Sequence, residues 1–579
     1  MSRNFALFAF SLVCALLAGG PARAVDTQLP SMGSSAGAIA SPEEQRQYGF
    51  YVLHELRNQG KVLDDAQLND YINTLGYRLV SYSPRPDQPF TFFVVRDSSI
   101  NAFALPGGFV GVNAGLITTT SNENELAAVL AHEISHVTQQ HLVRAVEAEQ
   151  KYAPLMVLAM VGALVAASHQ SPYSTSNADI GAIAAAEGLA AQLQINFTRA
   201  DESEADRVGI QTLAKANFDP DAMAEFFGRM QRALRPGFDE TDVPALLMDH
   251  PVTTARISEA KARAETVKKE EKQRQALPDN DAIKTPSVSS LLLLPSLNPA
   301  SSATQTEPAR PAQIRERQRA RSEGFYELMR ERARVLASDR PTQTLAYYAD
   351  NLRDDKGFDT AANRYGHALA LVRAGDAGKS REVAQKLATT QPDNLAENLV
   401  YQLALGRAEL MAGARDAALQ RFIHLENDFP DNRALVLAHA EALVQIDDKA
   451  SARRAQELLR PQLAHDDEDP VLQIAFARAS ELAGDPVRAG EAHAAAAYLN
   501  GRAEDALNQL KQLTKRNDLD YYQRTRIEAR IAEMTPTVLE LRRRKIKPSD
   551  QGQLVPAFSQ CGSKACAHLS SLRNNSPLQ

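Results

Sequence analysis

The feature that most restricts the fold of this chain is the stretch His132-Glu133-Ile134-Ser135-His136, which has the pattern H-E-x-x-H. In a helix, residues four positions apart lie on one face, so both imidazoles can reach a single metal ion. Glu133 lies beside them, where its carboxylate can take a proton from an activated water. The flanking residues are largely apolar, so the helix is predicted to be buried, where unpartnered imidazoles would be costly. The motif therefore predicts one zinc ion per chain, bound by His132 and His136, with Glu133 as general base.

A catalytic zinc normally has three protein ligands, and the third has to come from elsewhere in the chain. His141 is predicted not to serve, because at about 100° per residue it lies about 140° round the helix from His136. We expect it to be a surface histidine. The downstream segment TRADESEADRVG places Glu202 and Asp206 on one helical face, with Glu204 pointing roughly the opposite way. Glu202 is favoured over Glu204 as third ligand, and Asp206 can hold the free N–H of a ligand histidine.

Residues 41–265 are predicted to form one α+β domain, mostly helical with a small sheet. The segment FTFFVVRDSSINAFALPGGFVGVNAGLI is rich in Phe, Val and Ile with Gly and Pro between them, which predicts two or three strands. The motif helix follows, and its capping box is either Thr120 with Glu123 or Asn122 with Glu125.

The first 24 residues have the order of a secretory signal peptide. A cationic start is followed by a short apolar run and by the small-residue site Ala22-Arg23-Ala24. This order favours secretion over an uncleaved membrane anchor, because the apolar run is short for a membrane span. The net charge of −7 argues against nucleic acid as the main partner.

Three further segments have distinct compositions. The apolar stretch 154–167 is shorter than the ~20 residues of a spanning helix, so a buried hairpin helix is favoured over peripheral membrane contact. Residues 266–320, with a charge run and many prolines, are predicted to be a flexible linker. In the tail, 550–579, Cys561 and Cys566 are interpreted as a disulfide rather than as part of a zinc knuckle, which would need more ligands nearby.

Residues 322–540 are rich in Ala, Leu and Arg and are predicted to be all-α. The turn sequence QPDN at Gln391 recurs as FPDN at Phe429, with helical segments between them. Gly406, Ala418, Phe422 and Pro430 have the spacing of packing positions in tetratricopeptide repeats. The segment therefore resembles a degenerate tetratricopeptide-like repeat domain, which would offer a concave surface to protein segments. An unrelated helical bundle is the alternative.

The motifs together resemble a known peptidase family. H-E-x-x-H, then Glu202 and Asp206 in E-x-x-A-D, then HPVTTAR with His250 and Arg256, is similar to the gluzincin zinc metallopeptidases that include the heat-shock membrane proteases and the CAAX prenyl proteases. The signal peptide and the repeats are similar to the periplasmic members of that family. The resemblance implies His132, His136 and Glu202 as zinc ligands, with Glu133 as general base and Asp206 as a second catalytic residue that acts as proton donor.

The resemblance also implies roles that the residues alone do not predict. His250 would occupy the fourth zinc position and hold the enzyme latent, and Arg256 would stabilise the oxyanion. The function implied is a periplasmic zinc endopeptidase that degrades misassembled outer-membrane β-barrel precursors beside their assembly machinery, with a chaperone activity. The alternative is a repeat-based chaperone or scaffold with a latent zinc site. The segment FALPGGFVGV is interpreted as a strand region that pairs with extended substrate, testable by proline at Val110 or Val112.

Overall fold

The structure is a computed structural model, and it describes residues 41–147, 199–233, 246, 250–276, 311–390 and 394–543. The predicted signal peptide (1–24), the apolar stretch 154–167 and the tail 550–579 with its two cysteines lie outside the described residues. Among the helices that the structure does describe, none combines the length and the apolar character needed to cross a membrane.

The amino-terminal part combines helices with a small sheet. Its elements are α1 (Pro42–Asn58), α2 (Ala66–Val80), β1 (Thr91–Val95), β2 (Ala102–Leu105), β3 (Phe109–Asn113), α3 (Ala114–Thr119), α4 (Glu123–Thr138), α5 (141–147), α6 (199–215), α7 (Ala222–Ala233) and α8 (Thr254–Ala276). The prediction of a mostly helical domain with a small sheet is confirmed.

In the described part of the chain the sheet has the order β1-β3-β2. β3 is central, parallel to β1 with Thr91 opposite Phe109, and antiparallel to β2 with Ala102 opposite Val112. Because both sides of β3 are paired, Val110 and Val112 cannot accept an added strand. The choice of those two residues for the proline test was therefore wrong. The edge strand next to the motif helix is β2.

Helix α4 carries H-E-x-x-H, and its start contains one half of the predicted Asn122–Glu125 capping box. Asn122 is the N-cap, and its Oδ1 accepts a hydrogen bond from Glu125 N–H at 3.0 Å. Glu125 Oε2 accepts from the backbone N–H of Ser121 at 2.6 Å, so the second hydrogen bond goes to the residue before the N-cap rather than to Asn122. Thr120 instead ends α3.

Helix α6 crosses α4 at a close approach between small residues. A Cβ on Gly209 would lie 3.3 Å from the carbonyl of Ala131, so any larger residue there would press on the backbone of α4. Ala131 immediately precedes the motif, and Gly209 follows Asp206 by one turn. The close packing at these two residues therefore brings the acidic face of α6 over the histidines of α4.

The boundaries of the predicted linker, 266–320, need correction at both ends. Helix α8 continues to Ala276, because the charge run KKEEKQRQ consists of good helix formers and the helix ends before Pro278. Lys268 in this run lies 3.2 Å from Asp219 Oδ1 and also contacts Asp221. At the other end, Pro311 begins the next helix, a position that proline favours. Residues 277–310 lie outside the described part.

The carboxyl-terminal part is all-helical. Its helices are α9 (Pro311–Ala337), α10 (Pro341–Asp354), α11 (Ala361–Arg373), α12 (Ala377–Ala388), α13 (Leu395–Met411), α14 (Arg415–Asp428), α15 (Arg433–Val444), α16 (Lys449–His465), α17 (Pro470–Ala483), α18 (Pro486–Leu499), α19 (Ala503–Leu513) and α20 (Tyr521–Arg543). From α10 to α20 successive helices pack against each other, as in an array of helix pairs, and α9 packs against α11.

The pair α13 and α14 packs at the positions that suggested tetratricopeptide repeats. A Cβ on Gly406 would lie 2.5 Å from Phe422 Cε1, so the ring fills the space that the glycine leaves. Ala418 and Phe422 are fully buried. The packing is compatible with a tetratricopeptide unit, and the assignment of the whole array to that repeat class stays a prediction.

The two parts share one hydrophobic core. Tyr326 of α9 is fully buried, and its hydroxyl donates to the carbonyl of Thr120 at 2.6 Å, just before the motif helix. Arg332 of α9 donates from Nε and Nη2 to the two carboxylate oxygens of Asp65, at 2.6 and 2.7 Å. At the other end of the array, the ring of Tyr498 packs edge-on against His54 of α1, with centroids 5.5 Å apart.

Candidate metal centre

Four side chains converge where α4, α6 and the segment before α8 meet. They are His132, His136, Glu202 and His250, and one ligand atom of each lies within 4.8 Å of the others. The two α4 imidazoles face each other with Nε2 to Nε2 at 3.0 Å. Glu202 of α6 reaches both, with Oε2 at 3.4 Å from His132 Nε2 and Oε1 at 3.4 Å from His136 Nε2. The structure therefore brings the three predicted ligands together with His250.

The donor set fits a zinc ion. Ligand atoms about 2.0–2.1 Å from a tetrahedral zinc lie about 3.3 Å from one another, which is the range seen between His132, His136 and Glu202. Two imidazole nitrogens and one carboxylate oxygen are also donors that zinc prefers. The site is buried, with side-chain exposures of 5% at His132 and 6% at Glu202, and solvent reaches it mainly at His136 and His250, each 15% exposed.

His250 completes the cluster on the side that solvent reaches. Its Nδ1 lies 2.8 Å from Glu202 Oε1 and 3.4 Å from His132 Nε2. Its Nε2 lies 3.7 Å from Oε1 of Glu133, which is 1% exposed. The His250 backbone N–H donates to the carbonyl of Leu246 at 2.8 Å. The ring of His250 thus lies between the predicted general base and the predicted carboxylate ligand.

Asp206 and Arg256 lie behind the ligands rather than among them. Asp206 Oδ1 is 3.0 Å from His132 Nδ1, the ring nitrogen that faces away from the cluster. Arg256 Nη1 lies 2.8 Å from Glu202 Oε2, and Arg256 is itself buried. This is the position of residues that orient ligands, as the residue pattern suggested for Asp206. The roles of Asp206 as proton donor and of Arg256 as oxyanion stabiliser stay predictions.

Charges in the cluster are strongly coupled. Burial lowers the pKa of His132, but Asp206 and Glu202 outweigh it and raise that pKa to about 10. Burial and then the neighbouring His132 hold the pKa of His136 well below its usual range. Burial raises the pKa of Glu202, but His250 and His132 outweigh burial and keep the pKa well below normal. The cluster thus keeps Glu202 ionised, which is the form that binds a metal, and favours a proton on His132, which a metal would have to displace.

The prediction that His141 is a surface histidine was wrong. His141 is 4% exposed, and its Nδ1 lies 2.9 Å from Nδ1 of His136. The angular argument assumed an unbroken helix, but α4 ends at Thr138 and Gln140 has a φ of 57°, so the chain turns before α5 begins. Glutamine is not a residue that typically marks a left-handed turn, so the sequence carried no signal for this break.

The acidic residues of α6 divide between two places. Glu202 faces the four-residue cluster, whereas Glu204 Oε2 lies 3.3 Å from His141 Nε2 and 2.9 Å from Arg144 Nη1. The preference for Glu202 over Glu204 agrees with this arrangement.

The sequence interpretation also missed an aromatic support. Phe227 of α7 contacts His132 edge-on, with ring centroids 6.4 Å apart, and the Arg256 guanidinium lies 4.7 Å from the Phe227 ring centre. One ring thus packs against both a predicted ligand and the arginine behind it. Nothing in the segment around Phe227 distinguishes it from an ordinary apolar helix face.

Comparison with known proteins agrees with the geometry. Residues 66–264 match the model of peptidase family M48. The chain is 31% identical over 534 residues to the beta-barrel assembly-enhancing protease of Yersinia pestis, a match covering 90% of this chain and 97% of that relative.

Two other relatives match over shorter stretches. The beta-barrel assembly-enhancing protease of Escherichia coli (strain K12) is 40% identical over 236 residues, so the match spans 41% of this chain and about half, 47%, of the relative. The mitochondrial metalloendopeptidase OMA1 of Schizosaccharomyces pombe is 32% identical over 163 residues, which covers 28% of this chain and 44% of that protein.

Proposed function

This chain belongs to the zinc metallopeptidases of family M48, and we propose that it is a periplasmic endopeptidase in which His132, His136 and Glu202 bind one zinc ion. The observation that carries the proposal is the spacing of 3.0 to 3.4 Å between the two imidazole Nε2 atoms and between each of them and a carboxylate oxygen of Glu202, since a tetrahedral zinc requires a spacing in this range.

The residues around the ligands have complementary roles in peptide hydrolysis. When bound, zinc supplies Lewis acidity toward the scissile carbonyl and the attacking water. Glu133 takes the proton from that water and returns it to the leaving amine. Asp206 holds the Nδ1 side of His132 and thereby directs its Nε2 toward the ligand cluster. Glu133 is itself buried beside His250, so its carboxylate is shielded from bulk solvent.

An extended substrate would pair with β2. The carbonyl of Asn101 accepts a hydrogen bond from Asn113 N–H, at the start of the pairing with β3. Because antiparallel pairing alternates, Ala102 and Ala104 direct their backbone groups away from β3. The carbonyl of Ile100, two residues before Ala102, points to the same outward side and accepts a hydrogen bond from Leu246 N–H at 3.1 Å. This outward side of the strand is suited to β-strand addition.

The test of strand pairing is Ala104→Pro. This variant removes an N–H that points away from β3 and takes no part in the β2–β3 hydrogen bonds. We expect peptide cleavage to fall through a higher KM while the zinc content is unchanged. Proline at Phe103 is the contrasting variant, since it breaks the internal ladder and should also lower the melting temperature. Full cleavage efficiency in Ala104→Pro would contradict strand addition.

The names of the relatives support a proposal for the biological role. Two of them are named as beta-barrel assembly-enhancing proteases. We infer that this chain acts on outer-membrane β-barrel precursors near their assembly machinery, degrades those that misassemble, and recruits them through its helical array. A second candidate is a chaperone or scaffold with a latent zinc site, which the position of His250 in the ligand cluster favours.

The variant Glu133→Gln separates the two functions. It keeps the zinc ligands but removes the general base, so we expect normal zinc content and a loss of peptide cleavage of about 10²–10⁴-fold. If the proteolytic role dominates, cells carrying this variant alone will accumulate misassembled outer-membrane proteins. Full complementation by Glu133→Gln would favour the chaperone role, and unimpaired cleavage in vitro would overturn the assignment of the base.

A further inference from the structure

His141 shares a short contact with one of the predicted ligands. Its Nδ1 lies 2.9 Å from Nδ1 of His136, with the two rings nearly perpendicular at 84°. In such a contact one nitrogen donates a proton and the other accepts it. Which nitrogen carries the proton decides whether His136 presents a lone pair or an N–H on its other nitrogen.

The contacts of Nε2, the other ring nitrogen of His141, determine the direction of this hydrogen bond. Its Nε2 lies 3.3 Å from Glu204 Oε2 and 3.7 Å from Asp201 Oδ1. Ionised carboxylates only accept hydrogen bonds, so Nε2 must carry the proton and Nδ1 must be the acceptor. Arg144 holds both carboxylates, with Nη1 at 2.9 Å from Glu204 and Nη2 at 2.8 Å from Asp201.

The direction of this hydrogen bond determines the tautomer of His136, which belongs to the ligand cluster. With Nδ1 of His141 accepting, Nδ1–H of His136 donates, and the lone pair of His136 lies on Nε2. That lone pair faces His132 Nε2 at 3.0 Å and Glu202 Oε1 at 3.4 Å. Histidine binds a metal through such an unprotonated ring nitrogen, and here that nitrogen faces the other ligand atoms.

We propose that His141 is a positioning residue that holds His136 in the metal-binding tautomer, with Glu204, Asp201 and Arg144 fixing the direction of the hydrogen bond. The inference rests on the proposed function, in which His136 is a zinc ligand. His141 would thus orient His136 in the way that Asp206, next to Nδ1 of His132, orients His132.

A second metal site at His141, Asp201 and Glu204 is the competing interpretation, because their ligand atoms also lie within 4.8 Å of one another. The Arg144 guanidinium opposes it. Arg144 already pairs with both carboxylates through close contacts, and a divalent cation would have to displace it.

The test compares two amide substitutions in the full chain. In His141→Asn, the side-chain oxygen occupies the place of Nδ1 and can accept from His136. In His141→Gln, the amide reaches the place of Nε2, and no acceptor faces His136. Zinc affinity is measured by competition with a chromophoric chelator, and the visible spectrum of the cobalt(II)-loaded protein reports on the ligand geometry.

We expect His141→Gln to bind zinc about 10–100-fold more weakly than the wild type, with a shifted cobalt spectrum. His141→Asn should recover most of the affinity and the native spectrum. His439→Gln is the matched control, since His439 is also buried and contacts Glu426 at 2.7 Å, but lies in the helical array, so it should change neither readout.

The outcomes separate this inference from the proposal on which it rests. Equal zinc affinity in the Asn and Gln variants would overturn the positioning role, whether both are normal or both are weak. His132→Ala tests the ligand set itself, and wild-type affinity in that variant would overturn the proposed zinc site instead. More than one tightly bound zinc per wild-type chain, reduced to one in Glu204→Ala, would support the second metal site.

Discussion

Arg256 holds Asp206 through both carboxylate oxygens, with Nη2 at 2.8 Å from Oδ1 and Nε at 2.9 Å from Oδ2. Asp206 Oδ1 lies 3.0 Å from His132 Nδ1, and Arg256 Nη1 lies 2.8 Å from Glu202 Oε2. A single planar guanidinium therefore orients a predicted ligand on α6 directly and a predicted ligand on α4 through Asp206. Its fixed fork of donors matches this arrangement, which a point charge could not reproduce.

Arg256→Lys is expected to weaken zinc binding by about 10–100-fold, because lysine cannot hold both carboxylates in fixed orientations. The measurement is zinc titration beside peptide cleavage. Arg364→Lys is the control, since Arg364 makes the same two-oxygen contact with Asp359 on the exposed surface of the helical array. Unchanged zinc affinity in Arg256→Lys would contradict the orienting role.

His250→Ala is expected to raise the rate of peptide cleavage. The His250 ring lies between Glu133 and Glu202, where a substrate carbonyl has to approach, so removing it should open the site. Zinc should be retained, because the other three ligand atoms remain. Cleavage rate and zinc content are measured together, and a fall in cleavage with zinc still bound would argue that His250 has a catalytic rather than a latency role.

Tyr326→Ala is expected to lower the free energy of unfolding of the whole chain by about 3–5 kcal/mol, as for other large buried rings. Tyr326 belongs to the helical array, but its ring fills the core of the peptidase part and its hydroxyl contacts Thr120. Chemical denaturation followed by far-UV circular dichroism checks the value. Tyr521→Ala, at a residue 76% exposed, should change stability little. Equal stability in both variants would show that the two parts fold independently.

The stability of the contact between α1 and the end of the array should depend on pH. Burial, and then Arg57, lowers the pKa of His54 to about 3 from its usual 6.5. Between these values the unfolded chain binds a proton that the folded chain does not, so stability rises with pH in this window and is lost as the pH falls below 6.5. The contribution is at most about 1.4 kcal/mol per pH unit.

His54→Phe should remove that dependence, because a phenyl ring stays neutral while it keeps the packing against Phe50 and Tyr498. We expect the unfolding free energy of the variant to fall less steeply than that of the wild type between pH 6.5 and 5. His465→Phe, at an exposed histidine at the end of α16, provides the comparison. Parallel pH profiles in all three proteins would contradict the assignment to His54.

Much of the site was predictable because its ligands follow helical periodicity. His132 and His136 are four apart on one helix, and Glu202 and Asp206 are four apart on another. Their meeting depends on the close packing of Gly209 on Ala131, which no pattern in either segment indicates. His141 escaped prediction because its position depends on the turn at Gln140. The role of α9 in the peptidase core was missed for a similar reason, since Tyr326 packs on residues some two hundred positions away.

The zinc content of the purified full chain tests the central claim most directly, by elemental analysis of the wild type beside His136→Ala and His439→Ala. The account predicts close to one zinc per chain in the wild type and in His439→Ala, where a buried histidine outside the site is lost. It predicts a small fraction of that in His136→Ala. Equal zinc content in all three proteins, or none in the wild type after zinc supplementation, would contradict it.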